Sequence, residues 1–339
     1  MPPRQDGPAG PLPPATAAFA GILGMALVAW ALGMPQDDPD VRRSHLYNRY
    51  RVAGGWRWAV RLRQAGIETV CLKGLAAAAA LYPEPELRAM ADADLLVRPA
   101  DLSHALRYLL SQGFAVGQEP TRHPWGFIGD ASAEPLISPE GGNLDLHRHP
   151  DAWPLHGGLS TEEVLAGSLE VETPEGRVRV PRPEHQLLIA ASNAARDLFD
   201  PPSLKLLIDG ALLLRAGRRP GMPATGLDWA EIEQLARGGD SLRALRTYLS
   251  LIVLLGFDGT GIPQRLMLAP SGPASWLLDR VATDLAAGHF GDPAQDHGLG
   301  HKLMREMLLS ASGKTVLWRN SRRLAGLVRP NRGMLGEAR

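Results

Sequence analysis

Two aspartates separated by one residue stand at the head of an apolar run, Met-Ala-Asp-Ala-Asp-Leu-Leu-Val at residues 90–97, and this limits what the segment can become. As a strand it projects Asp92 and Asp94 from one face and sends Ala93, Leu95 and Val97 into a core on the other. Two like charges side by side are costly without a cation, so removing either one should relieve repulsion in a metal-free chain. The same alternation places a third carboxylate. In Asn143-Leu144-Asp145-Leu146-His147 the leucines face one way, and Asn143, Asp145 and His147 face the other.

Three carboxylates on neighbouring strands would make an all-oxygen site suited to Mg²⁺. Attack of a hydroxyl on an α-phosphate needs such a set, because one ion activates the hydroxyl while a second neutralises the triphosphate and the leaving pyrophosphate. A lone Asp-x-Asp matches ordinary surface acidity too, and its place at a strand start inside an apolar run is what raises its value.

The surrounding pattern reads as an α/β half followed by a helical half. Glu68–Leu72 is a short β-branched and apolar run, Lys73-Gly74 leads into an alanine-rich helical patch that runs to Leu81, and Pro99-Ala100-Asp101 opens an amphipathic helix with Leu102, Ala105, Leu106, Leu109 and Leu110 on one face. Pro139-Glu140-Gly141-Gly142 is a hairpin loop between Glu134–Ser138 and Asn143–His147, and a further hairpin spans Leu169–Val180. Beyond Pro183 only helical spacing remains. The organisation expected is a tail at 1–15, disordered by its Pro and Gly content, an α/β domain with N-terminal helices at 16–182, and a helical domain at 183–339.

Lys plus Arg and Asp plus Glu each number 36, so no global positive field recruits nucleic acid. The basic, aromatic stretch 43–65 reads instead as a helix with a solvated face and with Leu46, Tyr50, Val52, Trp56, Val60 and Leu62 on its apolar side. Cys71 is the sole cysteine, which excludes an intramolecular disulfide framework and fits a reducing cytoplasm. Residues 16–34 carry no charge and reach the lower limit of a membrane span, but Ala and Gly supply much of the run. A buried core helix is expected there, ahead of a membrane span or of a signal peptide with Arg4 as its basic end and Ala29-Trp30-Ala31 as its cleavage pattern.

The run from Leu72-Lys73-Gly74 through Tyr82-Pro83, Arg88 and Asp92-Ala93-Asp94-Leu95-Leu96-Val97 to Gly113-Phe114 resembles an uncharacterised nucleotidyltransferase family. The later Leu144-Asp145-Leu146-His147 is similar to that family's third-carboxylate strand, and 183–197 and 203–214 resemble its helical half, so the likeness covers roughly residues 45 to 255. It implies an α+β, polymerase-β-like nucleotidyltransferase fold, a mixed sheet with flanking helices followed by a helical domain. It also implies an enzyme with Asp92, Asp94 and Asp145 as catalytic and metal-binding residues, two Mg²⁺ ions and a nucleoside triphosphate donor. The acceptor is undefined, a peptide or a small molecule, and neither general nucleic-acid binding nor a membrane is implied. Lys73 and Gly74 fall where better-known members of the superfamily carry Gly-Ser to hold the triphosphate, a departure in this chain. Arg88 falls where it would reach the triphosphate tail, and Asn193 stands where relatives tend to carry His.

Other readings of the same residues stand beside this one. His147 and His149 with Asp145 resemble a metal-hydrolase cluster, for which His123, His156 or His185 would supply a further ligand. A nucleotide- or partner-binding module could keep the fold without turnover. Cys71, within an apolar run, reads as an inert small hydrophobe, and Lys205 with Asp209 as a surface ion pair one helical turn apart.

Overall fold

The uncharged run near the N-terminus does not form one helix. In the computed structural model, which describes residues 14–116, 135–151, 155–216, 226–268, 272–288 and 299–328, it is divided into α1 (Pro14–Leu23) and α2 (Met25–Leu32). Gly24 separates them at φ +86°, and a Cβ there would stand 2.8 Å from the Ala89 methyl, so only glycine suits both the backbone and the close approach. Ala26 and Ala29 are buried while Trp30 and Leu32 are exposed, and the Ala26 N–H donates to Ser44 Oγ at 3.1 Å. Among the described residues no helix is long and apolar enough to cross a membrane. The expected core helix is thus two short helices, each buried on one side. The expected tail at 1–15 lies outside the described residues except for its last two, which already belong to α1.

Helix α3 (Pro39–Gln64) starts where the Asp38 carboxylate accepts from the N–H groups of Asp40 and Val41. Its second half buries Val52, Trp56, Trp58 and Leu62, but Leu46 and Tyr50, expected on the same apolar stripe, are exposed. The reason is that only one side of the first half is covered. There Val41 and Asn48 are buried, and Asn48 Nδ2 donates to the Glu86 carbonyl at 2.8 Å. The basic face is engaged by acids from elsewhere in the chain, with Arg57 paired to Glu140 and Glu175 and Arg63 to Glu170.

Next come β1 (Thr69–Cys71), α4 (Lys73–Ala80), β2 (Asp92–Val97), α5 (Leu102–Ser111), β3 (Ala115–Val116), β4 (Leu136–Ile137) and β5 (Asn143–His147). The strands form one mixed sheet in the order β1-β2-β5-β4-β3, with β2 and β5 parallel and the other pairs antiparallel. Each β2 residue alternates between two covered faces. Ala93, Leu95 and Val97 enter a core with Trp56, Leu62, Leu106 and Leu109, whereas Leu96 joins the core of the helical half. Leu110, expected on the buried face of α5, lies at its edge and is 36% exposed. After α6 (Thr161–Ala166), β6 (Leu169–Thr173) and β7 (Gly176–Val180) make the expected separate hairpin.

The helical half begins with α7 (Pro183–Arg196) and α8 (Leu204–Ala216), continues through α9 (Trp229–Gly238) and α10 (Leu242–Leu254), and ends with α11 (Pro273–Ala286), α12 (Leu299–Arg305) and α13 (Gly313–Val328). Leu187, Ala191, Leu207, Leu245 and Ile252 share one core with Val70, Leu72 and Leu96, so these helices close directly over the aspartate face of the sheet. Ser203, just before α8, directs its hydroxyl to the Ala194 carbonyl.

His185, on the first turn of α7, is buried and accepts from Arg182 Nε at 2.9 Å. Burial first, and then the Arg182 charge, lower its pKa to about 4. The unfolded chain therefore binds more protons than the folded one below the unperturbed value of about 6.5, and the stability this group contributes above that value is lost as pH falls towards 4. His185→Gln, which keeps an acceptor for Arg182 and does not titrate, is expected to flatten the decline in melting temperature across that window. An unchanged slope in the variant would place the acid sensitivity elsewhere.

Candidate active site

The parallel pairing of β2 with β5 sets Asp94 directly opposite Asp145 and Asp92 opposite Asn143. Leu96 is opposite His147, so Asp92, Asp94, Asp145 and His147 stand on one sheet face, as the alternation of residues requires. Among the described residues, Asp94, Asp145 and His147 each offer a ligand atom within 4.8 Å of the other two. Asp92 is outside that tight group. Burial, and then repulsion from Asp94, raise its pKa, which places it within electrostatic reach.

Asp94 is 3% exposed and does not lack a counter-charge, because Oδ1 accepts from Lys73 Nζ at 2.6 Å and from His147 Nε2 at 2.7 Å. Burial alone would raise its pKa, but the Lys73 charge and the His147 hydrogen bond outweigh it and hold the carboxyl well below the usual range. The His147 pKa is lowered, by burial first and then by the Lys73 charge. Lys73 begins α4 at φ +47°, a left-handed conformation that costs a non-glycine residue about 1–3 kcal/mol. The strand-to-helix turn thereby carries Nζ back over β2.

Gly74, on the first turn of α4, is buried, and a Cβ there would meet the Arg88 guanidinium and Met90 at 3.5 Å. Arg88 corrects the expectation of a triphosphate-reaching side chain. It is 4% exposed and held by Asp209, with Nε to Oδ1 at 2.8 Å and Nη2 to Oδ2 at 2.7 Å, while Nη1 donates to the Ala89 carbonyl. Asp209 also accepts from the Tyr82 hydroxyl at 2.9 Å, so it is no surface partner of Lys205.

Two basic residues, Arg196, which the sequence reading did not single out, and Lys205, which it took for a surface ion-pair partner, lie within electrostatic reach of the site instead. Lys205, half-buried at the start of α8, has its pKa lowered by burial and by Arg88, while Asp92 and Asp209 pull the other way. Arg196, at the end of α7, pairs with buried Asp151 at 3.4 Å, donates to Asn193 Oδ1, and brings its charge within reach of Asp94 and His147. The signal available in the sequence was the helical phase of Arg196 and Lys205, but nothing there shows that α7 and α8 close over the sheet.

Of the rival cluster, His147 lies within the tight group and His149 does not, while His123 lies outside the described residues. His185 is bound to Arg182. Cys71 sits mid-sheet, where burial pushes its thiol up to about 12, which excludes a ready nucleophile.

A sequence model of the family described as uncharacterised nucleotidyltransferase matches residues 57–256, more than half of the chain. A search among curated proteins finds no match.

Proposed function

Because the chain belongs to this uncharacterised nucleotidyltransferase family, we propose that it transfers a nucleoside monophosphate from a triphosphate to a hydroxyl on a peptide or small molecule. The observation that carries the reading is the in-register opposition of Asp94 and Asp145 on parallel strands, with Asp92 one alternation away on the same face. Their oxygens fit Mg²⁺, and the buried, electron-rich face would be stabilised by a cation. When bound, the divalent ions would supply charge neutralisation at the triphosphate and a lowered pKa for the acceptor hydroxyl.

The chain's own residues do the rest. Asp92 and Asp94 anchor the site on β2, and Asp145, less buried than Asp94, orients the acceptor hydroxyl from β5. Lys73, Arg196 and Lys205 surround the carboxylates from α4, α7 and α8 and take the triphosphate oxygens in the role first expected of Arg88. Gly74 contributes through its own backbone N–H on the first turn of α4, whereas the N–H groups of Leu75 and Ala76 already donate to the Leu72 carbonyl. The closure of α7 and α8 over this face keeps water from the reacting phosphate. The sole cysteine, reduced and buried, suits a cytoplasmic protein.

The test is pyrophosphate release from each triphosphate with Mg²⁺, with and without cell extract, beside calorimetric binding of the triphosphate. Binding that is equally tight in excess chelator, together with no pyrophosphate in any mixture, would overturn the reading. Lys205→Gln and Arg196→Gln are each expected to raise the KM for triphosphate by about tenfold or more, since a charge-assisted hydrogen bond contributes about 1.5–3 kcal/mol. Unchanged KM values would remove both from the site.

One observation favours a binding module without turnover: Lys73 places an ammonium on the carboxylate that would hold the metal. Under that alternative Lys73→Met gains Mg²⁺ binding that the natural chain lacks. Under the proposal the natural chain binds Mg²⁺ together with triphosphate.

A further inference from the structure

We infer that the groove between α3 and the turn from β4 to β5 receives the nucleobase of the donor triphosphate. The inference rests on the proposed function in taking the carboxylate face as the place where the α-phosphate lies.

Position is the first argument. The groove holds about 390 Å³ of space, within the range of about 300–1,000 Å³ usual for small-molecule sites. It lies where β2 and β5 start, because its lining takes Asp92 and Asn143 from the carboxylate face and Ala93 and Leu144 from the opposite one. A nucleoside attached at the α-phosphate must leave the carboxylates in a direction taken neither by the pyrophosphate nor by the acceptor. In the proposed function Lys73, Arg196 and Lys205 take the pyrophosphate end and Asp145 the acceptor, while α7 and α8 close over the face. The way past Asp92 leads into the groove.

The chemistry of the lining is the second argument, and it is independent of the first. Tyr50 is 48% exposed, and its hydroxyl lies 3.7 Å from where a Cβ on Gly141 would stand, so the side chain spans from the helix to the turn. Among the described residues no cation covers its ring, whereas the Tyr47 ring carries the Arg51 guanidinium 4.4 Å from its centroid. A bare aromatic face can stack any nucleobase. Trp58, 3% exposed, also lines the groove, and its indole N–H is buried with no hydrogen-bond partner, a donor that a ring nitrogen or carbonyl of a base would satisfy. Asn143 adds an exposed amide at the strand start. Glu140 on the turn is already paired with Arg57 and Arg61, so the groove suits a neutral, planar group.

The experiment uses the full chain with Mg²⁺ and compares calorimetric binding of ATP, GTP, CTP and UTP with that of inorganic tripolyphosphate, which has no base. Gly54 lines the groove from α3, and a Cβ there would meet nothing within 4 Å, so Gly54→Leu fills the groove and raises helix propensity. At least one nucleotide is expected to bind about tenfold or more tighter than tripolyphosphate, an advantage of the size that base stacking gives. Gly54→Leu and Tyr50→Ala should each remove that advantage while tripolyphosphate binds as before, and Tyr50→Phe should keep it, since stacking needs the ring and not the hydroxyl. Irradiation of the azido-base analogue of the tightest binder should label the natural chain on α3 or on the turn, a result that needs no variant to fold. Equal binding of nucleotides and tripolyphosphate, an advantage that survives in Gly54→Leu, or label found only elsewhere would each overturn the inference. Lost transfer with unchanged nucleotide binding in Gly54→Leu would give the groove to the acceptor and overturn it too. Pyrophosphate release that both variants leave unchanged sinks this inference and leaves the proposed function standing, whereas a base-dependent advantage lost in both, with no release in any mixture, does the reverse.

Discussion

Asp94→Asn is expected to abolish transfer and to destabilise the metal-free chain by about 3–5 kcal/mol, whereas Asp92→Asn should abolish transfer at no cost in stability. The sequence alone assigns the two aspartates the same behaviour, because they share a strand face and repel. The structure separates them. Asp94 is buried between Lys73 Nζ and His147 Nε2, and loss of its charge strands an ammonium beside a buried imidazole. Asp92 has no such partner among its stronger influences: burial and the Asp94 charge both oppose its ionisation. Its neutral replacement should therefore leave the apo fold as stable or slightly more so.

The pH dependence sharpens the contrast. Asp94 has a folded pKa below its unfolded value, so its contribution is fully present above about pH 4 and is lost as pH falls through the folded value. Urea unfolding at pH 7 and at pH 3, beside the pyrophosphate-release assay, reads both effects. Equal stability of the two variants at pH 7 would show that the Lys73–Asp94 pair contributes nothing.

The strand that carries the first two aspartates was legible to the residue, because a period of two with apolar residues on the alternate face has one solution within a sheet. The β5 strand and the hairpin at 169–180 were legible for similar reasons, since Gly-Gly and Glu-Gly turns separate alternating runs. Local pattern did not reveal which long-range partner each charge finds. Arg88 looks like a loop arginine in sequence because Asp209, its partner, is 121 residues away. The same holds for Lys73, whose position in the family likeness implies a phosphate-binding turn while its ammonium bonds Asp94. Gly24 dividing the apolar run follows from a contact with Ala89 that no window of local sequence contains.

The Arg88–Asp209 pair supports the second large prediction. Asp209→Asn should destabilise the chain by about 3–5 kcal/mol, because it leaves a guanidinium buried with half of its bidentate partner gone. The double variant Arg88→Met with Asp209→Leu should recover most of that loss, since apolar side chains of similar size replace a buried ion pair at little cost, although the Tyr82 hydroxyl then loses its acceptor. Stability and activity should part in the double variant. Arg88 stands four residues before Asp92, and Asp209 lies one helical turn after Lys205, so the pair ties the approach to β2 to the helix that carries Lys205. With the clamp replaced by apolar contact, the relative placement of Asp92 and Lys205 loosens, and misplacement by about 1 Å can lower turnover by about 100-fold. A double-mutant cycle in urea, paired with kcat on each member, is the measurement. Strictly additive stability changes would show that the two residues do not act as a unit, and a double variant with both stability and kcat intact would show that the clamp does not position the site.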